Sequence, residues 1–194
     1  MNKNRLEAFS DGVLAIIITI MVLEIKIPHG EANLQALMRL LPIFVSYVLS
    51  FVYIAIYWNN HHHMLHGTEK VNGAILWANM HLLFWLSLVP FTTGWMGEND
   101  FAPITMTAYG VILFMSGLAY NILQNLIAKQ DENKLLKQAI GSDRKGKIST
   151  VLYAVAIAAS FYSRWIAGII YIAVALMWLI PDKRIEHEIL DNQD

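Results

Sequence analysis

Residues 104–128 read ITMTAYGVILFMSGLAYNILQNLIA, from Ile104 to Ala128, without one Asp, Glu, Lys or Arg. A membrane-crossing helix needs about 20 mainly apolar residues, since a rise of 1.5 Å per residue must cover a hydrocarbon core about 30 Å thick. This run exceeds that length. In lipid a single segment must close its own backbone hydrogen bonds, so the run reads as a spanning helix. Asn121, Gln124 and Asn125 gather near its end, where helix-to-helix hydrogen bonds are expected.

Working outward, Val71–Thr93 is also uncharged, and Leu34–Trp58 carries only Arg39 near its start. Ile148–Ser163 and Trp165–Ile180 are shorter, are separated by Arg164, and predict a tight helical hairpin with close-packing contacts at Ala154, Ala158 and Gly168. With Val13–Leu23 this makes six segments. The whole chain agrees: of 194 residues 56% are apolar and 15% charged, against roughly 45–50% and about 25% in soluble domains. The charges sit in short clusters, as expected when a charge at the bilayer centre costs several kcal/mol. The fold expected is all-α and polytopic, one unit over residues 1–194, with a cytoplasmic loop at about 129–147 and a short tail at 182–194.

A net charge of −1 gives no footing for nucleic acid. The absence of cysteine excludes disulfides and thiolate chemistry. Lys3 and Arg5 before an apolar run resemble a signal peptide, but Glu24-Ile25-Lys26-Ile27-Pro28 follows in place of a small-residue cleavage site, so a retained first helix is expected. Of the 14 Lys and Arg residues, all but Lys26, Arg39 and Arg164 fall on one side of a six-span arrangement. Basic residues accumulate on the cytoplasmic side, which places both termini in the cytoplasm and the chain in the plasma membrane. Trp58, Trp95, Trp165 and Trp178 are expected at span ends. Pro28, Pro90, Pro103 and Pro181 should punctuate ends, and Pro42 should kink the second span.

The first segment is the odd one. Val13–Leu23 would reach only about 16 Å at 1.5 Å per residue. Asp11 precedes it and Glu24 ends it. A helix shielded from lipid by neighbours fits this better than a lipid-facing one. At 100° per residue Gly12, Ile16, Thr19, Ile20 and Leu23 share a face, narrow, mostly apolar and with one hydroxyl. Such a face suits a constriction that gates by dewetting. Ordinary packing against the other five helices accounts for the same pattern.

Four histidines crowd the end of the second span, at His61, His62, His63 and His66. Neutral imidazoles suit zinc, copper or nickel, which keeps a metal-dependent membrane enzyme open as one reading. The H-E-x-x-H arrangement is missing, however, and polar helix-end groups bonded to Ser10 or Asp11 fit as well. His81 lies alone inside the third span, where a bond to a neighbouring helix is the ordinary role. No nucleophile elbow, P-loop, paired intramembrane aspartates or T-V-G-Y-G filter occurs. A non-conducting scaffold is the other class left open.

Arg5-Leu6-Glu7-Ala8-Phe9-Ser10-Asp11 matches an R-x-x-x-F-S-D motif. With Val13–Leu23, the following Glu24–Pro28, and Trp58-x-x-His61-His62, the chain resembles the endosomal and lysosomal potassium channels called transmembrane protein 175, in their bacterial six-helix form. The resemblance covers the full chain. It implies a homotetramer whose first helices line the pore, K⁺ and other monovalent cations as permeant species, the lipid bilayer as surroundings, and no cofactor. It also implies roles for residues: Ile16, Ile20 and Leu23 as the constriction, Thr19 as a selectivity hydroxyl, and Arg5, Phe9, Ser10, Asp11, His61 and His62 as the network holding the pore helix. Without a carbonyl ring to replace hydration, preference for K⁺ over Na⁺ is expected to be modest.

Overall fold

The structure, a computed structural model, describes residues 2–28, 30, 32–66, 68, 71–130 and 144–179. The tail at 182–194, and most of the predicted loop at 129–147, lie outside them. The described residues form helices and no strand: α1 Lys3–Leu23, α2 Leu34–Arg39, α3 Leu41–His66, α4 Gly73–Ser87, α5 Val89–Glu98, α6 Pro103–Gln130, α7 Arg144–Ser160 and α8 Arg164–Leu179. Four helical stretches have the length and apolarity to cross a bilayer: Lys3–Leu23, Leu41–Leu65, Gly73–Glu98 and Pro103–Lys129.

Three boundaries differ from the sequence reading, each for a physical reason. α1 starts at Lys3, where the Asn2 side chain accepts from Asn4 N as an N-cap. The motif is therefore helical, and α1 has 21 residues, about 31 Å at 1.5 Å per residue, rather than 16 Å. Pro42 does not kink a span. It is the second residue of α3, where a missing N–H costs no helical bond, and the break at Leu40 separates α2 from α3. Pro90 opens α5 as its second residue, and so marks a helix start but not a span end. It interrupts the third span at Leu88, splitting it into α4 and α5.

α4 packs on α6, α6 on α7, α7 on α8 and α3 on α5, while α1 lies over α3, α4 and α5. The hairpin of α7 and α8 is as expected, turning through Phe161–Ser163. Of the predicted packing residues Gly168 is half-buried against Met106, whereas Ala154 and Ala158 are exposed and Ala156, Ala167 and Ala175 are buried in their place. Gly97 lets the backbones of α5 and α3 approach closely, since a Cβ there would stand 2.7 Å from Ile43 Cα. Under α1 the core is mostly aliphatic, with Leu14, Ile17, Met21, Leu82, Leu86 and Leu123. Farther away it turns aromatic, with Tyr53, Tyr109, Tyr153 and Tyr171.

Candidate pore helix and its anchor

α1 carries two faces of opposite character. Leu6, Ser10, Leu14, Ile17 and Met21 are buried, recurring every three or four residues as one helical stripe should. On the other side Ile16 is 57% exposed, Ile20 43% and Leu23 74%, with Gly12 and Thr19 exposed between them. The face picked out by periodicity is thus the one the chain leaves uncovered. A Cβ on Gly12 would meet nothing within 4 Å. The Thr19 hydroxyl donates to Ile16 O at 2.9 Å, which leaves its oxygen lone pairs free to face outward. Beside this face runs an open groove bordered by Val13, Ile20, Glu24, Pro90 and Phe91.

The first half of α1 is held by side chains rather than by apolar contact alone. Glu7, Ser10 and Asp11 stand at i, i+3 and i+4, and so share a face. Trp58, His61 and His62 repeat that spacing on α3. The two sets meet: Trp58 Nε1 donates to Asp11 Oδ1 at 3.0 Å, and His62 Nδ1 lies 3.0 Å from Glu7 Oε1. The His62 ring also stacks on Trp58, with centroids 6.1 Å apart.

Ser10 is fully buried and joins α1 to α4. Asn79 Nδ2 donates to Ser10 Oγ at 2.9 Å, and Ser10 Oγ donates to Leu6 O at 2.9 Å. Because Asn79 uses its amide N–H there, its Oδ1 accepts, and His61 Nε2 must be the donor at 2.7 Å. That places a proton on His61 Nε2, with Nδ1 buried and lacking a partner. A three-residue chain, His61–Asn79–Ser10, thereby links α3, α4 and α1.

The structure brings Ser10, Asp11, His61 and His62 together. Arg5 and Phe9 lie exposed, and Arg5 makes no side-chain hydrogen bond or ion pair among the described residues. Three partners escaped the sequence reading: Glu7, Trp58 and Asn79. The spacing of Glu7 with Asp11 was the available signal for the first. Trp58 sits two turns before the end of α3. His81 bonds within its own helix, accepting from Trp85 Nε1 at 2.9 Å. Asn121 and Asn125 likewise donate to carbonyls four residues back, at Gly117 and Asn121, and among the described residues not across helices.

Among the described residues no three His, Asp or Glu side chains converge to hold a metal ion. His61 and His62 are engaged with Asn79 and Glu7. The His66 side chain lies outside the described residues.

The far end of α1 is different. Glu24 folds over Gly94, where an added Cβ would stand 3.2 Å from Oε2. Lys26 Nζ donates to Glu98 Oε1 at 3.0 Å, both exposed. That hydrogen bond and the Glu98 charge raise the Lys26 pKa.

The sequence profile described as endosomal/lysosomal potassium channel TMEM175 matches residues 5–90. A potassium channel of Chryseobacterium sp. (strain P1-3) is 55% identical over 193 residues, covering 99% of this chain and 100% of its own. A potassium channel of Chamaesiphon minutus is 32% identical over 84% of this chain and 86% of its own. The crystal structure of a lysosomal potassium-selective channel TMEM175 homolog, also from Chamaesiphon minutus, superposes with a TM-score of 0.83 at 28% identity, covering 92% of this chain and 96% of that one.

Proposed function

Because this chain belongs to the family of the endosomal/lysosomal potassium channel TMEM175, we propose that it conducts K⁺ passively along the uncovered face of α1. It is a potassium channel and not an enzyme, and K⁺ is its permeant ion rather than a cofactor. One observation carries the assignment of the path. The uncovered face of α1 holds Gly12 and Thr19 among its large apolar residues. Small and hydroxyl residues at membrane depth favour a neighbouring helix over lipid. Copies of α1 arranged around an axis enclose such a face, and closed rotational symmetry is the common way to complete it. The assembly proposed is a homotetramer.

The six crossings proposed are α1, α3, α4 with α5, α6, α7 and α8. The last two have 17 and 16 residues, about 24–26 Å, so they need slight thinning of the bilayer around them. Both termini are proposed to be cytoplasmic in a plasma membrane. The anchor of Glu7, Ser10 and Asp11 then sits at the cytoplasmic mouth.

Along the axis Ile16, Ile20 and Leu23 form the constriction. Water confined in an apolar ring drains readily, and an ion cannot follow without shedding hydration. K⁺, more weakly hydrated than Na⁺, sheds water at lower cost, and Thr19 oxygens offer weak replacement ligands. Preference for K⁺ should therefore be modest, and other monovalent cations should pass. The test is ⁸⁶Rb⁺ or K⁺ flux into liposomes holding purified protein. Ile20→Asn should hydrate the ring and raise basal flux. If Ile16→Asn, Ile20→Asn and Leu23→Asn all leave flux unchanged, the path does not lie along α1. Silence from every variant would favour a scaffold role.

A further inference from the structure

The far side of the subunit holds a feature that conduction does not use. α3, α6, α7 and α8 enclose a narrow crevice of about 460 Å³, its open mouth included. Its walls are mostly apolar surface from Ile56, Tyr57, Tyr120, Tyr153 and Trp178. Glycine keeps it open. A Cβ on Gly117 would meet only Tyr57 Oη and Tyr153 Cε2, both at 3.9 Å. Packing therefore does not require glycine at this position, and any longer side chain would grow into the crevice.

The mouth adds charge. Trp178 donates from Nε1 to Ser149 Oγ at 2.8 Å, fixing its ring at the rim. Lys145 Nζ stands 6.0 Å from the centre of that ring. Arg144 and Lys147 flank it on the same turn of α7, both exposed. Tryptophan and basic residues at a helix end mark the headgroup layer, and basic pockets between spanning helices suit anionic headgroups. A slot apolar within and basic at its rim matches an anionic lipid in both parts.

We propose that this crevice holds one acyl chain of an anionic phospholipid whose headgroup rests on Lys145, with Arg144 and Lys147 beside it. The site lies apart from α1 and is occupied whether or not the channel conducts, so its test reads lipid and not flux. The purified full chain is exchanged through detergent holding equal phosphatidylglycerol and phosphatidylcholine, and bound lipid is counted by native mass spectrometry. Phosphatidylglycerol should be retained in preference. Lys145→Gln should lower that preference about fivefold, the worth of one lysine near an anionic surface. Gly117→Leu should displace the lipid altogether, and Thr150→Leu, also at the crevice wall, serves if that variant does not fold. Lys26→Gln removes the same charge at the opposite end and should change nothing. Equal retention of both lipids, or unchanged preference in the variants, overturns the proposal. Loss in Lys145→Gln alone overturns it too, leaving a headgroup on the surface. Loss from filling the crevice alone leaves a chain without choice of charge, and equally overturns it.

Discussion

The two ends of α1 are held in opposite ways. At the start, Glu7, Ser10 and Asp11 bond to two other helices, and the link through Asn79 is fully buried. At the finish an exposed Lys26–Glu98 pair bridges to α5, and Glu24 rests on Gly94. Buried bonds specify position, since each leaves a costly orphan if it slips. Exposed ion pairs specify little. The register of α1, and with it the direction in which Ile16 and Thr19 point, is therefore set at the motif end.

The sharpest way to break this contrast is Asn79→Leu. It leaves the His61 Nε2–H without its acceptor and Ser10 Oγ without its donor, both buried. Unsatisfied buried groups cost roughly 1–3 kcal/mol each, and intramembrane bonds average nearer 0.6. A loss of about 2 kcal/mol follows, or roughly 4–8 °C in Tm for a chain of this size. An unchanged melting curve in detergent would mean that the chain of bonds does not fix α1.

Adjacent residues test the two faces separately. Ile17 is 3% exposed and packs in the aliphatic core, whereas Ile16 is 57% exposed. Ile17→Ala should destabilise by about 2 kcal/mol through the cavity it opens and alter flux only in proportion to folded protein. Ile16→Ala should leave the Tm of a detergent-separated subunit within about 1 °C and change flux per folded channel. The reverse pattern would place the pore on the other face.

How much of this was legible in the sequence depends on where each signal lives. The α6 span was plain because lipid forbids charge over a long run, and that constraint is written locally. Periodicity grouped Gly12, Ile16, Thr19, Ile20 and Leu23 on one face of α1, but did not show whether other helices cover that face. The start of α1 was not legible, since Glu7, Ser10 and Asp11 are polar. Their helical state rests on partners 47 to 69 residues away along the chain, which no local pattern announces. Pro42 and Pro90 show the same gap. Each stands second in a helix that follows a break, at Leu40 and at Leu88, and no local pattern shows either break. Asn121 and Asn125 were read as cross-helix donors because the sequence cannot show that a carbonyl of their own helix lies within reach.

A smaller effect is expected at Thr19. Its hydroxyl proton is committed to Ile16 O, so only oxygen lone pairs remain to meet a cation. Thr19→Val keeps the shape and removes that oxygen. The K⁺/Na⁺ permeability ratio should fall by a few-fold, with Tm unchanged, since one weak oxygen ligand per subunit is lost. A ratio in the thousands for the unaltered channel would exclude this account outright, because selectivity that strong requires a dedicated ligand cage.

The smallest effect belongs to the far end of α1. Lys26 has a pKa raised by Glu98, so whatever the pair contributes is fully present below the ordinary lysine value and fades as pH rises through the higher folded one. Between pH 5 and 9 nothing should change. Lys26→Gln should leave Tm and its pH profile in that range where they were, because both partners are exposed and screened by solvent and salt. A drop comparable to that of Asn79→Leu would show the two ends to be held alike. The motif end would then have no special claim to set the register of α1, and the buried chain through Asn79 would be one tether among several.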